Sequence, residues 1–234
     1  MKRVAKAVCL LLVLGLVAMG CGKKSGLEGK VVDGKGNPIS GMKIIAKQVQ
    51  PLKGDEQREA TTGSDGSFKI IDLLPKTEYK LAPSMQDTKF SASVNIQSGP
   101  GGETIILPKP FAIRFMQTKD GIIKDSVAGL QWLPDLGHED IKWDDAQVYV
   151  QGLKSGGFSD WQLPSRAELK SLYDPSISAE YKIDPIFQLS SCCPLTGELA
   201  ESSNPWVISF ISGNEFCKDN SGYKKRVLPV RSPR

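Results

Sequence analysis

The chain has a single histidine, His138, in the run Asp135-Leu136-Gly137-His138-Glu139-Asp140. A Ser-His-Asp triad would rest on that residue alone, and no nucleophile-elbow motif accompanies it. Its neighbours are polar and turn-like, so it reads as a surface-loop histidine. No apolar run is long enough for a comfortable membrane span; the longest, residues 7–19, has the length of a signal-peptide core. Nor is there a dominant charge. The net charge of +4 includes Lys2, Arg3 and Lys6, and without those three cations about +1 remains. So small an excess gives no support to nucleic-acid binding, and no nucleic-acid partner is expected. A composition of 40% hydrophobic and 24% charged residues excludes a wholly disordered chain. The length, 234 residues, suffices for two modest domains with real cores.

What is present begins with a targeting segment. Met1-Lys2-Arg3 and Lys6 form a basic start ahead of the apolar run, which ends at Ala18-Met19-Gly20-Cys21. That ending resembles the lipobox of bacterial lipoproteins, with Met19 in place of the commoner small residue. The resemblance implies cleavage after residue 20, diacylglycerol on Cys21, and the membrane as a partner through that lipid. Gly22 rather than Asp follows the cysteine, which resembles an outer-membrane sorting context. The expected product is exported and anchored to the bacterial cell envelope at the outer membrane. Residues 1–20 would be the signal peptide and 21–26 a lipidated, flexible tether.

Cys9 lies in the signal, and Cys21 would carry the lipid. Cys192, Cys193 and Cys217 remain, in an oxidising compartment. Adjacent cysteines seldom bond each other, so the expected bridge runs from Cys217 to Cys192 or Cys193. Three cysteines without a nearby histidine make a poor zinc site; no metal and no cofactor are expected.

Residues 27–107 carry β signals throughout. Strands are expected near 27–33, 42–49, 68–71, 79–81, 90–96 and 104–107, separated by turn clusters such as Gly34-Lys35-Gly36-Asn37-Pro38 and Ser64-Asp65-Gly66-Ser67. Many short strands with regular turns argue for an all-β sandwich. The ordered set Gly29-Lys30-Val31-Val32-Asp33, Gly36-Asn37-Pro38-Ile39-Ser40-Gly41, Gly63-Ser64-Asp65-Gly66-Ser67-Phe68 and Leu74-Pro75 to Tyr79 resembles the carboxypeptidase regulatory-like domain, a transthyretin-like sandwich. Such a domain implies a spacer or interaction module. Asp33 and Asp65 are read as turn residues rather than calcium ligands. Pro108-Lys109-Pro110 is the expected linker.

Residues 111–234 mix helix and strand. Trp143-Asp144-Asp145-Ala146 opens a helix with acids in its first turn, where the helix dipole favours them, and Gly156-Gly157 closes it. Ser165-Arg166-Ala167-Glu168 reads as a capping box at the start of a second helix that Asp174-Pro175 stops. An irregular stretch over 176–205 precedes a strand at 206–211 and a final strand at 223–231. The motifs Gly129-Leu130-Gln131-Trp132, Trp143-Asp144-Asp145-Ala146, Asp160-Trp161-Gln162-Leu163-Pro164-Ser165-Arg166-Ala167-Glu168-Leu169 and Arg226-Val227-Leu228-Pro229-Val230-Arg231 together resemble the Lcl C-terminal domain family. That family implies an α+β, C-type-lectin-like fold, related to formylglycine-generating enzymes. Calcium-dependent lectins use a Glu-Pro-Asn-like triplet and a Trp-Asn-Asp-like strand, and neither is found; Asn204-Pro205-Trp206 lacks the acid.

The expected architecture is therefore an all-β sandwich followed by an α+β C-type-lectin-like domain. The expected function is non-enzymatic binding or adhesion at the envelope. Anionic glycan is the candidate ligand, because some members of the resembled family are thought to bind sulfated polysaccharide. Lys224, Lys225, Arg226 and Arg231 are the candidate contacts, as a basic cluster near the end of the chain. The alternative is a structural or interaction subunit of an envelope assembly, with a protein partner. A formylglycine-generating-type enzyme using Cys192 and Cys193 ranks below both.

Overall fold

The computed structural model describes residues 22–135, 141–201, 203–217 and 225–233. The signal 1–20, Cys21, His138 and Lys224 lie outside the described residues. In chain order the first strands are β1 (Ser25–Asp33), β2 (Lys43–Gln48), β3 (Gln57–Thr61), β4 (Ser67–Leu73), β5 (Glu78–Ser84), β6 (Thr88–Lys89), β7 (Val94–Gln97) and β8 (Thr104–Ile106). Then come β9 (Phe111–Ile113), β10 (Phe115–Thr118), β11 (Ile123–Asp125), β12 (Leu130–Trp132), helix α1 (Trp143–Gly152) and helix α2 (Arg166–Ser171). A 3-10 turn (Pro185–Phe187) precedes β13 (Leu195–Leu199), β14 (Pro205–Ile208), β15 (Glu215–Cys217) and β16 (Val230–Arg231).

The chain is β-rich, and its first half fits a β-sandwich. One sheet has the order β4-β1-β8, with β9 also on β1; the other has the order β3-β2-β5-β7. Alternation along each strand points Leu27, Val31, Ile44, Ala46, Phe68, Ile70, Tyr79 and Leu81 into one shared core, all at most 4% exposed. The turns are built as their residues require. Asp65 Oδ1 accepts from the Ser67 amide (3.0 Å) and hydroxyl (2.6 Å). These bonds hold its carboxyl down to about 2. Gly66 has φ +75°, and a side chain there would meet the Val31 carbonyl. Asp33 Oδ1 accepts from the Lys35 and Asn37 amides (2.8 and 2.9 Å). Both acids thus serve as turn residues.

The second half carries the sheet β16-β12-β11-β10-β6 and the smaller sheet β13-β14-β15. Its main core gathers Phe115, Ile123, Trp132, Leu169, Phe187, Phe210, Leu228 and Val230. Phe187 meets Phe115 and Trp132 edge to face, with centroids 5.1 and 6.0 Å apart. Of the final strand expected over 223–231, the described residues 225–231 form a strand at Val230–Arg231. Pro229 just before it has no N–H for a ladder.

The linker 108–110 separates the halves in sequence but not in hydrogen bonding. Beyond it, β9 returns to the first half and pairs in parallel with β1, Phe111 opposite Val31 and Ile113 opposite Asp33. Both side chains enter the first core. In exchange, β6 of the first half pairs with β10, so each half completes a sheet of the other. The linker carries the chain from β1's early residues, paired with β8, to its late ones, paired with β9. Its two prolines have no N–H to leave orphaned on that detour. Ser126 adds a tie, accepting from the Gly34 amide (2.8 Å) and donating to the Arg114 carbonyl (2.9 Å).

Replacing Ile113 by Ala in the full chain should cost roughly 2–5 kcal/mol in denaturant unfolding. Faster hydrogen exchange should appear at β1 and β2 amides; a loss confined to β11 and β12 would contradict this interlocked arrangement.

Candidate functional site

Of the basic residues offered for anionic ligands, the three that are described, Lys225, Arg226 and Arg231, are engaged separately. Consecutive side chains on an extended chain point to opposite faces, so Lys225 and Arg226 do not form one patch. Lys225 is buried, and its backbone bridges to Ile141. Arg226 is half-buried, with Nε 3.7 Å from Asp135. Arg231 is only 6% exposed. It donates from Nε and Nη2 to the two carboxylate oxygens of Asp160 (2.7 and 3.1 Å) and from Nη1 to Gln131. Its guanidinium also lies 3.7 Å from the Phe158 ring centroid. Arg231 is a structural cation, which corrects its reading as a ligand contact.

The cysteines are also corrected. Cys192 bonds Cys193, with Cα atoms 3.7 Å apart, and Cys217 is a free thiol. The chain bends at Ser191–Cys192, so neighbouring side chains can meet, as they do not on an extended strand. Cys217 ends β15 opposite Trp206. Of the four tryptophans, Trp132 and Trp161 are core residues. Trp143 is half-buried, and its indole N–H donates to the Thr196 carbonyl. Among the described residues no group of three or more His, Cys, Asp or Glu is placed to hold a metal ion, and no helix is long and apolar enough to cross a membrane.

The most elaborated surface site stands at the second helix. Glu168 accepts from the Ser165 amide (2.7 Å) and Ser165 Oγ from the Glu168 amide (3.2 Å), closing the capping box. That cap fixes where α2 begins, which places Arg166 in its first turn and Lys170 one turn later on the same face. Two cations so placed repel each other, and Arg166 also sits at the positive end of the helix. The fold answers from three other strands. Glu215 on β15 accepts from Arg166 Nε (2.9 Å) and lies 3.8 Å from Lys170 Nζ. Glu198 on β13 accepts from the Arg166 amide (2.7 Å). Trp206 on β14 lies under the guanidinium, 3.9 Å from ring centroid to Cζ.

Lys170 also donates to the Gly213 carbonyl. Gly213 has φ +75°, and any side chain would run into the Tyr173 ring, so the approach needs glycine. Arg166, Lys170, Glu198 and Glu215 line an open recess of about 570 Å³. The hydrogen bond from Arg166 holds the Glu215 carboxyl below its ordinary value of 4.5. The larger recess of about 1000 Å³ on the first half is lined by Glu28, Lys30, Glu59 and Lys69, with Glu28 and Lys69 paired across strands at 2.8 Å. Sequence reasoning read Ser165-Arg166-Ala167-Glu168 as a capping box and offered no site there. The missed signal was the like-charged Arg166/Lys170 spacing, which needs anions from elsewhere.

The Arg231 contacts bring together Gln131, Asp160 and the terminal strand, three separate motifs of one pattern. Residues 121–231 match the Lcl C-terminal domain family. No curated protein matches the chain. The Lcl C-terminal domain therefore contains every residue of the recess.

Glu215→Gln should alter acid stability in a defined way. Because its folded value is lowered, the carboxylate's contribution is complete above pH 4.5 and fades as pH falls through that lowered value. Unfolding measured against pH should show the native protein ahead of the variant near neutrality and the gap closing in acid. A gap that widens in acid would contradict the assignment.

Proposed function

We propose that the protein is a lipid-anchored, non-enzymatic binding protein of the bacterial cell envelope, held at the outer membrane. In this reading Cys21 carries the anchor. The transthyretin-like sandwich serves as the spacer, and the Lcl C-terminal domain, with a C-type-lectin-like fold, is the binding head. One observation carries the binding role: an open recess presents Arg166, Lys170, Glu198 and Glu215, with Arg166 held from beneath by the Trp206 ring. Two fixed cations and two fixed carboxylates have no net charge to attract a polyanion. They do offer planar donors and acceptors beside a half-buried indole. Sugar hydroxyls both donate and accept, so the recess suits a hydroxyl-rich glycan. A sulfated or carboxylated glycan would have to displace Glu215 from Arg166 first.

The test is a glycan array and heparin retention with the exported chain and its Arg166→Ala and Lys170→Ala variants. The expected result is glycan binding weakened roughly tenfold or more by Arg166→Ala, since a hydrogen bond to a charged group contributes about 1.5–3 kcal/mol. Retention on heparin that survives both variants would move the site elsewhere. No binding to any neutral or anionic glycan, with a protein co-purifying instead, would favour an interaction subunit of an envelope assembly. The anchor is checked separately: metabolic labelling with a palmitate analogue should appear in the native chain and vanish in Cys21→Ala.

A further inference from the structure

We propose that the end of the first half carrying the β2–β3 loop rests on the lipid surface, with Leu52 and Val49 seated at the boundary between headgroups and acyl chains. The inference rests on the lipid anchor at Cys21 proposed above.

The decisive constraint is the length of the tether. The stretch expected to be flexible, 21–26, is much shorter in the structure. β1 already begins at Ser25, which is 3% exposed. The Lys24 carbonyl accepts from the Gly102 amide (2.9 Å), and the Gly26 amide donates to Glu103 (2.8 Å). Only Gly22 and Lys23 separate the lipidated residue from a residue held by the fold. Three Cα-to-Cα steps reach at most about 11 Å. Lys24 must therefore stay within that distance of the anchored residue, and the sandwich cannot stand clear of the bilayer.

The surface around Lys24 is fitted for such contact. Lys24 pairs with Asp55 (3.6 Å), which brings the loop between β2 and β3 beside the tether. In that loop Val49 is 46% and Leu52 60% exposed, with Pro51 between them. Gln48, itself 3% exposed, braces the loop from inside: Oε1 accepts from the Leu52 amide (3.2 Å), and Nε2 donates to the Asp55 carbonyl. The Asp55 amide closes the turn on the Leu52 carbonyl (3.0 Å). The two apolar side chains are thus held outward by a built turn. Lys23, Lys53 and Lys76 are exposed at the same end. Lys76 is placed there by its amide bond to Gly99 (3.0 Å), and the loop itself by the Val49 amide to Glu78 (3.1 Å). Of the nearby acids, Asp55 is engaged by Lys24 and Arg58 and Glu56 by the Gly54 amide, while Glu78 and Glu103 are exposed at the same end. Exposed aliphatic residues ringed by lysines match an interface with anionic headgroups. The anchor makes the contact intramolecular, so a weak intrinsic affinity suffices.

The test uses the full lipidated chain with Cys217→Ser, floated with phosphatidylethanolamine–phosphatidylglycerol vesicles. A nitroxide is placed at Gln50→Cys in the loop or, for comparison, at Val148→Cys on α1, where the native residue is 71% exposed. The Gln50 label should gain accessibility to oxygen and lose accessibility to an aqueous nickel chelate relative to the Val148 label. Adding Leu52→Asp should abolish the difference. A Gln50 label as open to the chelate as the Val148 label, on protein that floats and carries the lipid mass on Cys21, overturns this proposal alone. Absence of the lipid mass overturns both this proposal and the anchor.

Discussion

The buried guanidinium of Arg231 is the interaction on which the second half depends. It sits at the end of the last strand, yet its partners come from β12 and from the loop before α2. The backbone on either side is fixed by the same arrangement, Val230 pairing with both Trp132 and Gln162. A buried cation stripped of its carboxylate is costly to leave, so the three segments are held to one geometry. Arg114 repeats the device at the junction with the first half. It donates to both oxygens of Asp125 (3.1 and 2.8 Å), whose carboxylate is fully buried. Asp125 in turn accepts from the Val127 and Ala128 amides and shapes the turn into β12.

The two halves are interlocked rather than strung together. β9 lends Phe111 and Ile113 to the sandwich core, and β6 extends the sheet that Arg231 closes. Rotation about the linker would break both strand pairings. This has a mechanical consequence: the orientation of the first half is transmitted to the second through paired strands.

The recess at α2 follows from a local conflict resolved at long range. The capping box fixes the start of the helix, and the helix then presents two cations one turn apart. Glu215 and Trp206 reach the cations, and Glu198 the Arg166 amide, from three strands of one small sheet. The charges balance, which turns the functional reading from a basic polyanion site toward a mixed donor–acceptor surface.

Local chemistry was legible in the sequence wherever neighbours in the chain are also partners. The Asp65-Gly66 turn, the Ser165–Glu168 box, the acids opening α1 and the alternation of the sandwich strands are all short-range patterns, and the sequence alone determined them. The ordered motifs of the second half were legible for the same reason. What only the tertiary structure decided were pairings across tens of residues. Arg231 was taken for a surface cation because Asp160 lies far away in sequence, and the Cys192–Cys193 bond depends on a bend that composition does not reveal. The strand exchange across Pro108-Lys109-Pro110 was hidden because a linker and a strand-to-strand detour carry the same residues. Arg166 became a site residue only when β13, β14 and β15 brought its counter-charges and its indole into place.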